Sequence, residues 1–528
     1  MNNRSFNGLK LFVCAFLFVS VVLPIGSLII NINVNDIKSI VTSYQFLPML
    51  THSLITTLIS TVISVILAFI LAWCVNRSNI RFKSVFSILF TIPMLIPSIS
   101  HGMGLVLLLG DNGIITNLLN INIGLYGYPG IIIGSILYSF PVAFLMLTDI
   151  FKYEDYTIYE AAQVLGLCKF QQFKEITLPN MKGALISVVF ATFTLIFTDY
   201  GVPLVVGGKV LTLPVYMYRE VIGLLDFSKG AIIGVLLLIP AFVAFILDLK
   251  NEGSSNASTV VKPYKVMDCK RRDIICYLLC GTVVFFISLP ILAFALLSIV
   301  KQYPVDMSLT FANIKEAYNL GVLSYLENSL AIAMVTSLVG MCTIYFTAYI
   351  TARSEKTFTN LSIHLIAMIS LAIPGVVLGL CYVLFFQGSF IYGTLAILIL
   401  VNIVHFFASP YLIAYNSLNK FNRNLEDTAN VMGISKMRML FDVYIPCTQE
   451  TLVELFSYLF VNSMVTISAV SFLANFRNMP LALVIPQFDS QSLIEATAFI
   501  SIVILVVNGI LKLCIYVIKR ILRKRKVM

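Results

Sequence analysis

Long apolar runs, interrupted by short polar connections, recur along all 528 residues, and twelve of them approach the length of a membrane-crossing helix. A hydrocarbon core of about 30 Å takes roughly 20 apolar residues per helix. Six runs lie at residues 9–30, 50–75, 85–109, 130–151, 183–206 and 231–249. Six more lie at 274–300, 328–351, 361–386, 392–415, 451–474 and 494–518. No small-residue cleavage site follows the first run, which is read as a retained helix and not a signal peptide. The pattern predicts an all-α polytopic membrane protein with about twelve transmembrane helices.

The polar connections carry an internal repeat. Glu160-Ala161-Ala162, Gly166 and Pro179 are answered 267 positions later by Asp427-Thr428-Ala429, Gly433 and Pro446. Val164/Val431, Lys169/Lys436 and Glu175/Asp442 keep the same register. Each window predicts a short helix, then a glycine break in a backbone conformation other residues resist. A second short helix follows and gives way to the next span at the proline. Ile96-Pro97-Ser98-Ile99 is echoed by Ile373-Pro374-Gly375-Val376, and Pro141 by Pro410. The chain therefore divides into two homologous six-helix halves, 1–250 and 273–528. Between them, residues 251–272 read as a linker, flexible in composition at first and basic at its end. Both halves follow the same in-and-out path, so the repeat runs about an axis along the membrane normal.

At 59% hydrophobic and 11% charged, the chain has too little charge to cover a soluble domain of this length. The net charge of +10 invites a nucleic-acid reading, which its distribution excludes. With the N-terminus placed in the cytoplasm, 28 of the 35 Lys and Arg fall on the inner side. That bias satisfies the positive-inside rule and puts both repeat windows and both termini in the cytoplasm. The basic C-terminal tail then reads as a feature of the lipid surface. Ten cysteines form no CxxC pair and four histidines show no ligand spacing, so no disulfide framework or metal site is expected. Gly207-Gly208-Lys209 lacks the spacing of a phosphate-binding loop, and no HExxH occurs.

The paired windows resemble the EAA loops of ABC importer permeases. Essentially the whole chain resembles a fused, two-half permease of the binding-protein-dependent type I family. The resemblance implies a transport subunit with no catalytic residue and no bound cofactor. ATP and Mg would be used by a homodimeric ABC ATPase on the cytoplasmic side, while an extracytoplasmic binding protein delivers a small-molecule substrate. The location implied is the bacterial plasma membrane, multi-pass. The resemblance assigns ATPase coupling to Glu160, Ala161, Ala162, Gly166, Pro179, Asp427, Ala429, Gly433 and Pro446. The second copy departs from the family pattern at Asp427 and Thr428, which leaves neighbouring Glu426 as an alternative contact.

Polar groups inside spans are expensive and usually face the bundle or a cavity. Thr194, Thr198 and Asp199 in the fifth run face Asn462, Ser463, Thr466 and Ser468 in the eleventh across the pseudo-twofold, a candidate translocation path. The competing account is that such side chains join helices or bond their own backbone. Within the family, residues 197–208, 218–223 and 465–473 look most like 2-aminoethylphosphonate permeases, with ferric-iron permeases next and thiamine or another small solute open. Outside the family, a secondary transporter also shows twelve spans in two parallel halves, but has no need of the paired windows.

Overall fold

The computed structural model describes residues 4–120, 124–152, 154–252, 262, 264–355 and 357–527. Residues 253–261 and 263 of the expected linker lie outside the described residues. Helices dominate because backbone groups in lipid must find their partners within the same segment. Among the described residues, eight helices are long and apolar enough to cross a membrane. A ninth span is the pair Leu395–His405 and Ala408–Asn419, bent by 54°. The other expected runs fall on shorter or interrupted helices, including Phe358–Ile369, Gly375–Phe386 and Gln449–Val465. Proline explains two of the interruptions. Ile96 and Ile373 precede Pro97 and Pro374, a position that disfavours the helical conformation. Ile96 is accordingly extended, and helices restart at Ser98 and Gly375.

The second span of each half shows how the bundle is sorted. Phe46–Arg77 and Val322–Arg353 are both 32 residues long, end in arginine and are followed by an extended serine. On Phe46–Arg77 the hydroxyls of Ser53, Thr56, Thr57, Ser60, Thr61 and Ser64 are buried, while Ile55, Leu58, Ile59, Val62, Ile63 and Ile66 are exposed. Small residues inside let helices approach closely, and the aliphatic face meets lipid. Ser64 and Ser139 hydrogen-bond at 2.8 Å where this helix packs on Tyr128–Lys152.

Each half lends its first span to the other. Phe6 and Phe16 of the first span pack on Tyr349 and Phe407, and the Tyr382 hydroxyl donates to the Ser20 carbonyl at 2.8 Å. In return Lys270–Leu297 brings Tyr277 against Phe86 and places Cys276 and Cys280 in one buried cluster with Cys74. The halves 1–250 and 273–528 are sequence repeats that interlock. A small antiparallel hairpin, Val300–Gln302 with Asp306–Leu309, follows that exchanged span.

Candidate coupling loops and central crossing

The two repeat windows fold alike down to single hydrogen bonds. Thr157–Val164 and Asn424–Val431 are each eight residues long. Gly166 and Gly433 follow with φ of +75° and +69°, and a Cβ on either would meet no atom within 4 Å. The left-handed backbone, not crowding, therefore demands glycine. The next amides complete the helix ends: Leu167 donates to the Ala162 carbonyl at 3.0 Å and Ile434 to that of Ala429 at 2.8 Å. This six-to-one bond is the Schellman ending, with glycine at the left-handed position. Ala162 and Ala429 are buried, whereas Ala161 is exposed and its carbonyl takes the Leu165 amide. The second short helices start at Lys169 and Lys436, after Cys168 and Ser435. The junction expected at each proline is a wide turn, Phe173–Thr177 and Leu440–Tyr444, that keeps the chain helical. Pro179 and Pro446 then sit in the first turn of the following helix, where a missing N–H is harmless. Val164, Leu165, Val431 and Met432 stand exposed at the tips.

Beneath each loop lies a buried arginine that sequence reasoning had counted only as an inside charge. Arg77 pairs with Glu154, both almost fully buried, and Glu154 also takes the Tyr159 hydroxyl at 2.5 Å. Arg353 clasps Glu426 through two hydrogen bonds of 2.6 and 2.5 Å, and the Tyr444 hydroxyl donates to the same carboxylate. Paired charges of this kind in a fork geometry are the strong ones. Burial pushes Tyr159 up, and burial followed by Glu426 pushes Tyr444 up, so both remain neutral donors. The halves exchange roles at equivalent positions: Tyr159 matches Glu426, and Thr177, bonded to Tyr159 at 2.7 Å, matches Tyr444. Glu426 is thus committed inward to Arg353, which corrects its reading as a substitute contact for exposed Asp427. Glu160 is paired with Lys262 at 2.5 Å. The signal that was available is the shared arginine ending of the two 32-residue spans.

At the centre, spans five and eleven break at matching positions. The helix expected to 206 ends at Phe197 and restarts as Gly201–Val206; its counterpart ends at Val465. Asp199 sits in the first break and caps the restarting helix, accepting from the Gly201 and Val202 amides at 3.3 and 3.0 Å and from the Ser98 hydroxyl at 2.7 Å. It also borders a small cavity lined by Ser53, Thr56, Thr57, Ser135 and Thr212. Thr198 turns back onto the Thr194 carbonyl at 2.8 Å and Asn462 onto that of Tyr458 at 2.8 Å, so these side chains bond their own helices. Thr466 is extended and lies outside the helix, Ser463 is buried, and the Ser468 hydroxyl faces Gly375.

A family model described as binding-protein-dependent transport system inner membrane component matches the chain twice, at residues 64–249 and 344–527. The chain belongs to that family and carries two copies of its domain, one per half. The putative ferric transport system permease protein FbpB 1 of Haemophilus influenzae is 26% identical over 74% of this chain and 64% of its own length. The ferric transport system permease protein FbpB of Actinobacillus pleuropneumoniae is 27% identical over 81% of this chain. The chain spans 64% of the length of either relative. A bacterial alginate ABC transporter, solved in complex with an alginate-bound periplasmic protein, aligns to 50% of this chain and 97% of its own, with TM-score 0.39 and 14% identity. These two relatives are transport components, not enzymes, and are named for ferric transport; the phosphonate cargo expected from residues 197–208 gains no support from them.

Proposed function

We propose that this chain is the membrane-spanning permease of an ATP-driven importer, in which a separate homodimeric ATPase docks on the two glycine-capped loops. The observation that carries the reading is the pair of identically capped short helices, each backed by a buried Arg–Glu pair. A soluble motor moves a membrane bundle only through rigid projecting pieces, and the exposed tips at Val164–Leu165 and Val431–Met432 are such pieces. In this reading the loops and both termini are cytoplasmic, a binding protein delivers substrate to the opposite face, and ATP-driven closure biases two states of the bundle. Glu160, Ala161, Ala162, Gly166 and Pro179, with Asp427, Ala429, Gly433 and Pro446, form the docking elements.

The cargo proposed is ferric iron, free or chelated, supported by the names of the two relatives. Cells lacking the chain are expected to starve for ferric iron and to grow normally on 2-aminoethylphosphonate as sole phosphorus source. Loss of phosphonate growth with intact iron uptake would reject the iron reading and restore the phosphonate one. Gradient-driven uptake by the purified chain without any ATPase would reject the importer reading itself.

A further inference from the structure

Among the described residues, the first docking helix carries a strap that the second lacks. Lys262 and Tyr264, from the segment joining the halves, lie across the start of Thr157–Val164. The Tyr156 amide donates to the Lys262 carbonyl at 2.9 Å, and the Lys262 amide donates to Asp155 at 3.3 Å. The Tyr264 ring meets Tyr156 and Tyr159, each at 5.1 Å, and covers the Arg77 guanidinium at 3.3 Å. With the strap held this way, the Lys262 ammonium reaches the Glu160 carboxylate at 2.5 Å. Asp427, at the matching position of the second loop, is exposed and makes no ion pair among the described residues.

We propose that Lys262 is a built-in competitor for Glu160, occupying the acid of the first docking helix and holding that loop below its full affinity for the ATPase. The proposal rests on the permease reading above. Tyr264, anchored on Arg77, sets the strap's position; Lys262, half exposed at 49%, is the part that can yield. An exposed pair of this kind is weak enough to be displaced by a docking partner. The two loops are therefore unequal: the second is ready to dock, and the first docks only as Lys262 lets go.

The test uses the full chain in nanodiscs with the ATPase that co-purifies with it. Lys262→Ala is expected to tighten association by about two- to five-fold, the range an exposed ion pair spans. ATP hydrolysis in the absence of binding protein should rise in the same variant. On a Glu160→Ala background, Lys262→Ala should change nothing, a result that a merely structural role of Lys262 would not give. Unchanged or weakened association in Lys262→Ala, or a gain that persists without Glu160, would overturn the proposal while leaving the permease reading standing. Failure of the wild-type chain to bind any ATPase would overturn both.

Discussion

Tyr200 and Ile467 stand 267 positions apart, the offset that separates Gly166 from Gly433, and they touch: the Tyr200 hydroxyl donates to the Ile467 carbonyl at 3.5 Å. Equivalent residues of two repeats meet only at the axis relating them, so this contact marks the pseudo-twofold of the bundle. Aromatic rings pack beside the axis. Tyr200 stacks on Tyr218 with centroids 4.8 Å apart, and Tyr218 stacks on Phe472 at 6.2 Å.

Rings packed at the axis predict a leak when the stack is removed. Tyr200→Ala combined with Tyr218→Ala deletes two large rings from the axis, while Tyr200→Phe keeps the ring and removes only the hydroxyl that bonds the Ile467 carbonyl and Ser471. In liposomes without ATPase, the double variant is expected to pass small solutes several-fold faster than the parent, and Tyr200→Phe is expected to match the parent. Equal leak rates in all three would place the barrier elsewhere.

The glycines of the two capped loops predict an effect of backbone, not of volume. A left-handed residue with a side chain costs about 1–2 kcal/mol per site, and a β-branched one is stiffer still. Gly166→Val with Gly433→Val is expected to leave the chain inserted in the membrane and to cut uptake at least ten-fold. Gly166→Asn, which tolerates the left-handed region, should retain most of it. Normal uptake in the double valine variant would show that the loops do not couple.

The buried pair behind the second loop predicts a non-additive response. Removing one partner of a buried pair leaves an uncompensated charge and costs about 3 kcal/mol or more. Arg353 has a side chain only 2% exposed, so Glu426→Leu strands it. Glu426→Leu and Arg353→Met should each lower thermal stability more than the two together, and the double variant should recover part of the loss. Additive losses would mean that the two residues stabilise the loop separately.

What was legible in the sequence follows from what each feature demands. The two glycine-capped loops were legible because a left-handed break admits few residues, so Gly166 and Gly433 stand out in register. The breaks in the third and ninth spans were not read: 85–109 and 361–386 stood as continuous runs, and Pro97 and Pro374 only as an echo between the halves, although proline disfavours helix at the residue before it. Arg77 and Arg353 were read as inside charges, because composition does not distinguish a lysine at the lipid surface from an arginine folded onto Glu154 or Glu426. The exchange of first spans was invisible, since apolar periodicity names a buried face and not the neighbour that covers it. Thr198 and Asn462 were candidates for a path, and hydroxyl and amide groups in helices have their own carbonyls four residues back as ready acceptors.

The two halves solve one crossing with opposite residues, and this permits a swap. Ser98 faces Gly201 in the first half, where a Cβ on Gly201 would lie 2.4 Å from the Ser98 hydroxyl and 2.9 Å from the Ile99 amide. In the second half Gly375 faces Ser468, and a Cβ on Gly375 would lie 2.3 Å from the Ser468 hydroxyl. Ser98 matches Gly375 at the restart after each proline, and Gly201 matches Ser468 at the repeat offset. Each crossing therefore holds one serine and one glycine because there is room for only one side chain. Gly201→Ser alone should clash and abolish uptake, with loss of folded protein on solubilisation. Ser98→Gly with Gly201→Ser rebuilds the arrangement of the second half, apart from the hydrogen bond that Ser98 donates to Asp199. That double variant removes the contact with the Ser98 hydroxyl but leaves the new Cβ 2.9 Å from the Ile99 amide and 2.8 Å from Ile467 Cδ1, so it is expected to fold better than Gly201→Ser and to regain part of the lost uptake. A double variant no better than Gly201→Ser would show that the Ile99 backbone, and not Ser98, sets the limit at this crossing.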